Sequence, residues 1–324
     1  MIKKIILVGL FIYSCSGKNK SEHKYELVEN WPSIDSEIIL GNPTGLALNS
    51  TENIVFFHRG SRSWQTPMPK QKIKENTIIE LEKGSGKVVN AWGADLFIMP
   101  HGLEIDNDDN IWITDVGLHQ VIKFSSSGEE LMVLGKKNKP GNDSFHFNMP
   151  TDVAVADDGS FYVSDGYGNS RIIKFSKNGS YLLEWGIFGN KESQFNIPHG
   201  LDLDKDGNVY VADRENNRIQ KFDSIGNFIK QWENKSVGQL YSLNVNNDKN
   251  YLVGIDYTVS ENSKPIGSDI IYFDLELNLK HRFGKSGMYD GQIARYHDVQ
   301  IDKKGNIYVG DILNNSIQKF KPKN

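Results

Sequence analysis

Between residues 198 and 232 apolar and polar positions follow a regular cadence. Leu201 and Leu203 alternate with Asp202 and Asp204, a Lys205 to Asn208 turn follows, and Val209 to Val211 continue the apolar run. Alternation of this kind predicts a strand with one buried face, and a Gly or Asn able to take positive φ predicts a hairpin. Arg218 to Phe222 and Phe228 to Trp232, separated by Asp223 to Asn227, add two more strands. The cadence recurs, opening at Pro43-Thr44-Gly45-Leu46, Pro100-His101-Gly102-Leu103, Pro150-Thr151-Asp152-Val153, Pro198-His199-Gly200-Leu201, Tyr241-Ser242-Leu243 and Tyr296-His297-Asp298-Val299. Six copies of a four-stranded unit, about 42 to 57 residues apart, predict an all-β fold: a six-bladed β-propeller over residues 25–324. The last copy is one strand short, and Tyr25 to Trp31 is expected to supply it and close the ring. Closure leaves no long sheet edge exposed. Gly60 to Asn76 and Lys136 to Phe147 interrupt the cadence, and insertions of that length often cover a site.

The N-terminus follows a different pattern. Met1 to Lys4 is basic, and Ile5 to Tyr13 is an apolar run too short to span a bilayer. Cys15, the one cysteine of the 324 residues, follows at once. The segment resembles a bacterial lipoprotein signal. Residues 1–15 are therefore expected to be a signal peptide with lipidation at Cys15, residues 16–24 a flexible tether, and the mature protein an exported lipoprotein anchored on the periplasmic or cell-surface side. A lone cysteine excludes an intramolecular disulfide. The net charge of −4 gives no pull toward nucleic acid, and a monomer is expected.

The first strand of each propeller blade lines the central channel, so equivalent positions form a ring. The residue after the opening Pro or its equivalent is, in order, Thr44, His101, Thr151, His199, Tyr241 and His297. Histidine in alternate sectors of a sixfold ring should converge from three directions on one point. Three imidazoles with an open fourth position suit a catalytic zinc, and also copper, iron or nickel. Asp298, where the other two histidine-bearing copies have Gly, could orient an imidazole or bind a harder cation with the carbonyls of Leu46 and Leu103. A plain inner-strand carboxylate held by backbone N–H groups is the alternative. Arg59, Tyr167 and Arg214 fall in related turns on one face of the ring. An arginine beside a phenol favours its ionised form, and arginines clamp carboxylates. Asp115, Asp165, Asp213 and Asp311 recur in almost every copy and read as turn formers.

Several segments resemble a known family: Phe57-His58-Arg59-Gly60, Pro100-His101-Gly102-Leu103, Thr114 to Val121, Pro150 to Val155, Val163 to Ile172 and Ala212 to Asn216. They are similar, in the same order and from about Pro43 to Phe320, to the peptidyl-α-hydroxyglycine α-amidating lyases among the NHL-repeat propellers. The resemblance implies cleavage of a peptidyl-α-hydroxyglycine to an amide and glyoxylate. It implies zinc on His101, His199 and His297, and a structural calcium on Asp298 with the Leu46 and Leu103 carbonyls. It implies Tyr167 as catalytic phenol, with Arg59 and Arg214 in the active site.

The chain departs from the family in two places. Asn148 and Gly168 stand where animal members have a disulfide beside the tyrosine, which suggests a looser turn. Arg295-Tyr296 stands where the family has Met-Pro, which bears on substrate preference. No monooxygenase segment precedes the propeller, so the hydroxylated substrate is expected from a separate hydroxylating monooxygenase or as a small molecule. Two other readings remain at this stage: a different metal-dependent propeller enzyme such as a lactonase-like hydrolase, and a lipid-anchored NHL scaffold without enzymatic activity.

Overall fold

A computed structural model describes residues 24–234, 236–286 and 293–323. The expected signal segment and Cys15 lie outside the described residues. Every regular element described is a strand, apart from one 3-10 turn at Arg214–Asn216. Six four-stranded antiparallel sheets follow one another along the chain and pack as the blades of a propeller.

Blade 1 runs from Pro43–Leu48 to Val88–Trp92, blade 2 from Pro100–Ile105 to Glu130–Leu134, and blade 3 from Asp152–Val155 to Tyr181–Trp185. Blade 4 runs from Pro198–Leu203 to Phe228–Glu233, and blade 5 from Gln239–Asn246 to Leu279–Ser286. Blade 6 has Tyr296–Ile301, Ile307–Asp311 and Ser316–Pro322. Its fourth strand is Tyr25–Leu27, which pairs antiparallel with residues 320–322 and closes the ring as expected. The inner strands of blades 1 and 6 lie side by side.

Burial follows position in the blade. In blades 1, 2, 3, 4 and 6 every residue of the second strand is buried, because each is covered by the neighbouring blades on both faces. The outer strands Glu130–Leu134 and Tyr181–Trp185 are open to solvent. The alternation read along the first strands understates this. Asp204 is buried along with Leu201 and Leu203. Its carboxylate accepts from Asn208 (2.8 Å) and from the Tyr210 hydroxyl (3.0 Å). Asp302 does the same for Asn306 and Tyr308. These aspartates tie each hairpin to its second strand, which satisfies the polar groups that burial would otherwise strand.

The recurrent aspartates at the ends of the second strands are turn formers, as read. Asp115 accepts from the backbone N–H groups of Ile98, Met99, Gly117 and Leu118. Asp165 and Asp213 also pair with Arg171 (3.1 Å) and Arg218 (2.7 Å). Those two arginines reach across to the carbonyls of Asn142, Asp143 and His146, and of Asn190, Lys191 and Gln194. The second insertion is therefore a strap clamped onto blade 3.

Candidate metal centre and active site

The inner strands share a local distortion at the key residue. In blade 4, Pro198 pairs with Asp213 and Gly200 with Ala212, so His199 is an extra, unpaired residue. The same register shift passes over Thr44, Tyr241 and His297, and blade 2 is irregular from Pro100 to Leu103. A bulge of one residue re-aims a side chain while the strand continues. Here it turns the key residue into the channel. Glycine follows it in blades 1, 2 and 4. A Cβ at Gly200 would lie 2.7 Å from the Ser242 Cα, and one at Gly45 2.6 Å from the Leu103 N, so the inner strands approach as closely as they do only without side chains there.

His101, His199 and His297 meet. Their ring centroids are 4.7 to 4.9 Å apart, and one ligand atom from each lies within 4.8 Å of the others. All three are buried. The intervening blades orient them. His101 Nδ1 donates to the Thr151 carbonyl (2.6 Å), His199 Nδ1 to the Tyr241 carbonyl (2.6 Å), and His297 Nδ1 to the Thr44 carbonyl (2.9 Å). A carbonyl can only accept, so each Nδ1 carries the proton and each Nε2 presents a lone pair to the centre. Fixing the tautomer through the other ring nitrogen is how ligand histidines are held in metal sites. Burial, with the nearby arginines and imidazoles, holds all three well below the ordinary imidazole range. They are neutral and ready to ligate.

Tyr167 caps the trio. Its hydroxyl is 3.1 Å from both His101 Nε2 and His199 Nε2. Arg214 Nη1 donates to it (3.2 Å), and the guanidinium lies over the ring. Arg214 Nε pairs with Glu215, which Gln239 holds in turn. Burial pushes the Tyr167 phenol above its ordinary value, although Arg214 and Arg59 pull the other way. The arginines favour the ionised form as expected, and burial opposes them more strongly. The arginine bonded to the phenol is also Arg214, whereas Arg59 gives its Nε to the Pro100 carbonyl (3.1 Å). Arg59 is buried, burial lowers it to about 10, and its Nη2 has no partner. His58 sets the turn before it, with Nδ1 accepting from the N–H groups of Gly41 and Gly60.

The tyrosine turn is not loose. The Tyr167 and Gly168 N–H groups bond the carbonyls of Met149 and Asn148 (3.3 and 2.9 Å), and Asp165 holds Asn148 and Asn169. Asn148 fills the space beside Gly168, where a Cβ would fall 2.1 Å from it. Packing and hydrogen bonds take the place of a covalent tie.

Two residues of the site were assigned no role from the sequence: Trp64, which carried no signal, and Tyr241, which stood at the ring position of blade 5. Trp64, from the first insertion, lies 5.0 Å from the Tyr167 ring and 5.3 Å from the Arg59 guanidinium. Tyr241 accepts from Arg295 and sits under Arg214. A cavity of about 450 Å³ opens here, lined by Arg59, Trp64, Tyr167, Arg214, Tyr241 and Arg295, with His297 at its base.

Asp298 lies on the channel side of blade 6. One oxygen accepts from the Leu46 N–H (2.6 Å), the other from Ser242 Oγ (2.5 Å) and the Val299 N–H (2.9 Å). Burial pushes it up to about 7. Glu104, Asp152 and Asp202 are close enough to raise one another in the same way.

The NHL repeat model matches residues 147–175 and 195–222, which hold the two arginine-clamped blades. A Caenorhabditis elegans protein, "Probable peptidyl-alpha-hydroxyglycine alpha-amidating lyase", is 34% identical over 294 residues, covering 84% of this chain and 80% of its own. The chain belongs to the peptidyl-α-hydroxyglycine α-amidating lyase family. Peptidyl-glycine alpha-amidating monooxygenase A of Xenopus laevis is 38% identical over 319 residues, 90% of this chain. The chain spans about a third of the length of the amidating monooxygenases it matches. A streptogramin B lyase structure superposes with a TM-score of 0.58 at 13% identity, covering 92% of this chain and 98% of its own, and so shares the fold.

Proposed function

We propose that this protein is a metal-dependent lyase that breaks the C–N bond of a peptidyl-α-hydroxyglycine, releasing an amide and glyoxylate. One observation carries the reading: three neutral imidazoles turn their Nε2 atoms to one point, the Tyr167 hydroxyl lies 3.1 Å from two of them, and Arg214 lies 3.2 Å from that hydroxyl. A scaffold needs no such group, and membership of the lyase family favours C–N cleavage over a hydrolase reading.

His101, His199 and His297 would hold the metal, and an all-imidazole set with an open position favours zinc. Bound there, the metal would supply Lewis-acid polarisation, so that the hydroxyl proton of the N–CH(OH)–COO⁻ substrate, and that of Tyr167, would be easier to lose. With its own proton lost, Tyr167 is a phenolate supported by Arg214 and takes the hydroxyl proton. As the C–O bond becomes a carbonyl, the C–N pair returns to nitrogen, which must gain a proton to leave as the amide. The Tyr167 Oη is the group placed to return it. Arg59, with a free buried Nη2, is suited to clamp the substrate carboxylate.

Asp298 with the Leu46 and Leu103 carbonyls is offered to calcium. The support is electrostatic: four mutually repelling carboxyls in one channel are eased by a hard cation. Export and lipidation at Cys15 complete the reading, and a Cys15→Ala chain would then fail to incorporate labelled palmitate. A separate monooxygenase would supply the hydroxylated substrate.

Glyoxylate release from α-hydroxyhippurate is the test. Activity lost to a chelator and restored by zinc is expected. Absence of glyoxylate from zinc-loaded protein overturns the reading.

A further inference from the structure

Three guanidinium groups line one cavity, and a single hydroxyglycine carboxylate does not occupy them all. Among the described residues only Arg214 has an acidic partner, Glu215 at 2.9 Å. Arg59 is fixed by the Pro100 carbonyl and leaves a buried Nη2 unpaired. Arg295 has no described acid beside its side chain. Its Nε and Nη2 both donate to the Tyr241 hydroxyl, and its guanidinium lies over the rings of Tyr241 (5.4 Å) and Tyr257 (4.7 Å). Two aromatic faces and a phenol oxygen hold the fork in place, so little side-chain freedom is left to lose on binding an anion. Arg59 suits the carboxylate beside the scissile bond, and Arg214 supports Tyr167. Arg295 remains unassigned.

We propose that Arg295, seated on Tyr241 and Tyr257, is a specificity-determining anion site. The substrate it selects has a second carboxylate, on the acyl group whose nitrogen becomes the amide. The inference rests on the lyase reading for which bond breaks, but anion binding can be measured without turnover.

Two hydroxylated substrates differ only in that charge: N-succinyl-α-hydroxyglycine, a dianion, and N-succinamoyl-α-hydroxyglycine, its neutral-tailed counterpart. The dianion should be favoured about tenfold in kcat/KM, mostly through KM, as expected for one charge-assisted pair. Arg295→Met keeps the length and apolar stem and should bring the ratio close to one. Arg295→Lys should keep part of it. Calorimetry with the unreactive N-succinylglycine and N-succinamoylglycine should show the same preference and the same loss, with a circular-dichroism melt to establish that the variants are folded. If the dianion preference in binding disappears with Arg295→Met while neither hydroxylated compound yields glyoxylate, the anion site stands and the lyase reading falls. If the two tails bind equally to wild type, or the preference survives in Arg295→Met, the anion site is wrong, whatever the turnover.

Discussion

One set of inner strands carries opposite chemistry at two levels of the same channel. At the bulged position sit three histidines, under a cavity with three guanidinium groups. One and three residues further on stand Asp298 and Asp152, then Glu104 and Asp202. Burial raises all four, Asp202 to about 6 and Asp298 to about 7, and repulsion within the set adds to it for Glu104, Asp152 and Asp298. The two levels are held differently. At the histidine level Nδ1 is spent on carbonyls and Nε2 faces the centre, where only the Tyr167 hydroxyl meets it among the described residues. At the acidic level the carboxylates of Asp152, Asp202 and Asp298 take N–H bonds from their own and neighbouring strands, such as Asp202 from Leu203 and Val245. The first arrangement keeps ligand atoms available for chemistry. The second uses them to tie blades together, so a cation there would add to a structural role. Changes at the two levels should therefore separate activity from stability.

His199→Ala should have the largest effect. It removes one of three ligands, so metal content by mass spectrometry and glyoxylate release should both fall to background, well beyond the 10- to 100-fold typical of outer-shell changes. The chelated protein should lose only the stability of one buried hydrogen bond, to the Tyr241 carbonyl, about 1–3 kcal/mol, and stay folded. Full metal content in the variant would mean that the trio does not hold the metal.

Tyr167→Phe should come next. It should keep its metal and lose about 10²- to 10⁴-fold in kcat, the range of one positioned acid–base group. Near-wild-type turnover would remove the phenol from the mechanism.

At the acidic level, Asp298→Ala should leave the Leu46 N–H and Ser242 Oγ without their acceptor. Its cost should be about 3 kcal/mol of stability by urea titration. Wild type should gain stability from calcium and the variant should not. An equal calcium response in both would place the cation elsewhere.

The sequence carried the ring and the trio because a repeat puts equivalent residues at equivalent heights, and His101, His199 and His297 recur in alternate copies. The bulge that aims them left no trace, since one unpaired residue changes neither composition nor period. Trp64 was hidden because it lies in an insertion, where no periodicity says which way a side chain points. Arg295 was visible as a departure from the family, but its seat on Tyr241 and Tyr257 depends on a contact between blades 5 and 6. The arginines that favour a Tyr167 phenolate are legible in a sequence, whereas the burial that opposes them is not.

The smallest effect concerns pH, and the two levels should respond with opposite sign. Burial raises the Asp202 carboxyl from 3.8 to about 6. The folded state therefore binds the proton more tightly than the unfolded chain does. Any stability tied to that proton is present below about pH 4 and is lost as pH rises through about 6. The histidines are shifted down, so the folded state binds fewer protons there, and their contribution grows as pH rises toward 6.5. In EDTA, Asp202→Asn should flatten the decline between pH 4 and 6 by roughly 1–2 kcal/mol in urea titrations. A constant offset from the altered bonds to Leu203 and Val245 is expected at every pH, so the slope is the quantity to read. A variant whose slope matches wild type would mean that Asp202 ionises as freely folded as unfolded, and the electrostatic contrast between the two levels would lose its acidic half.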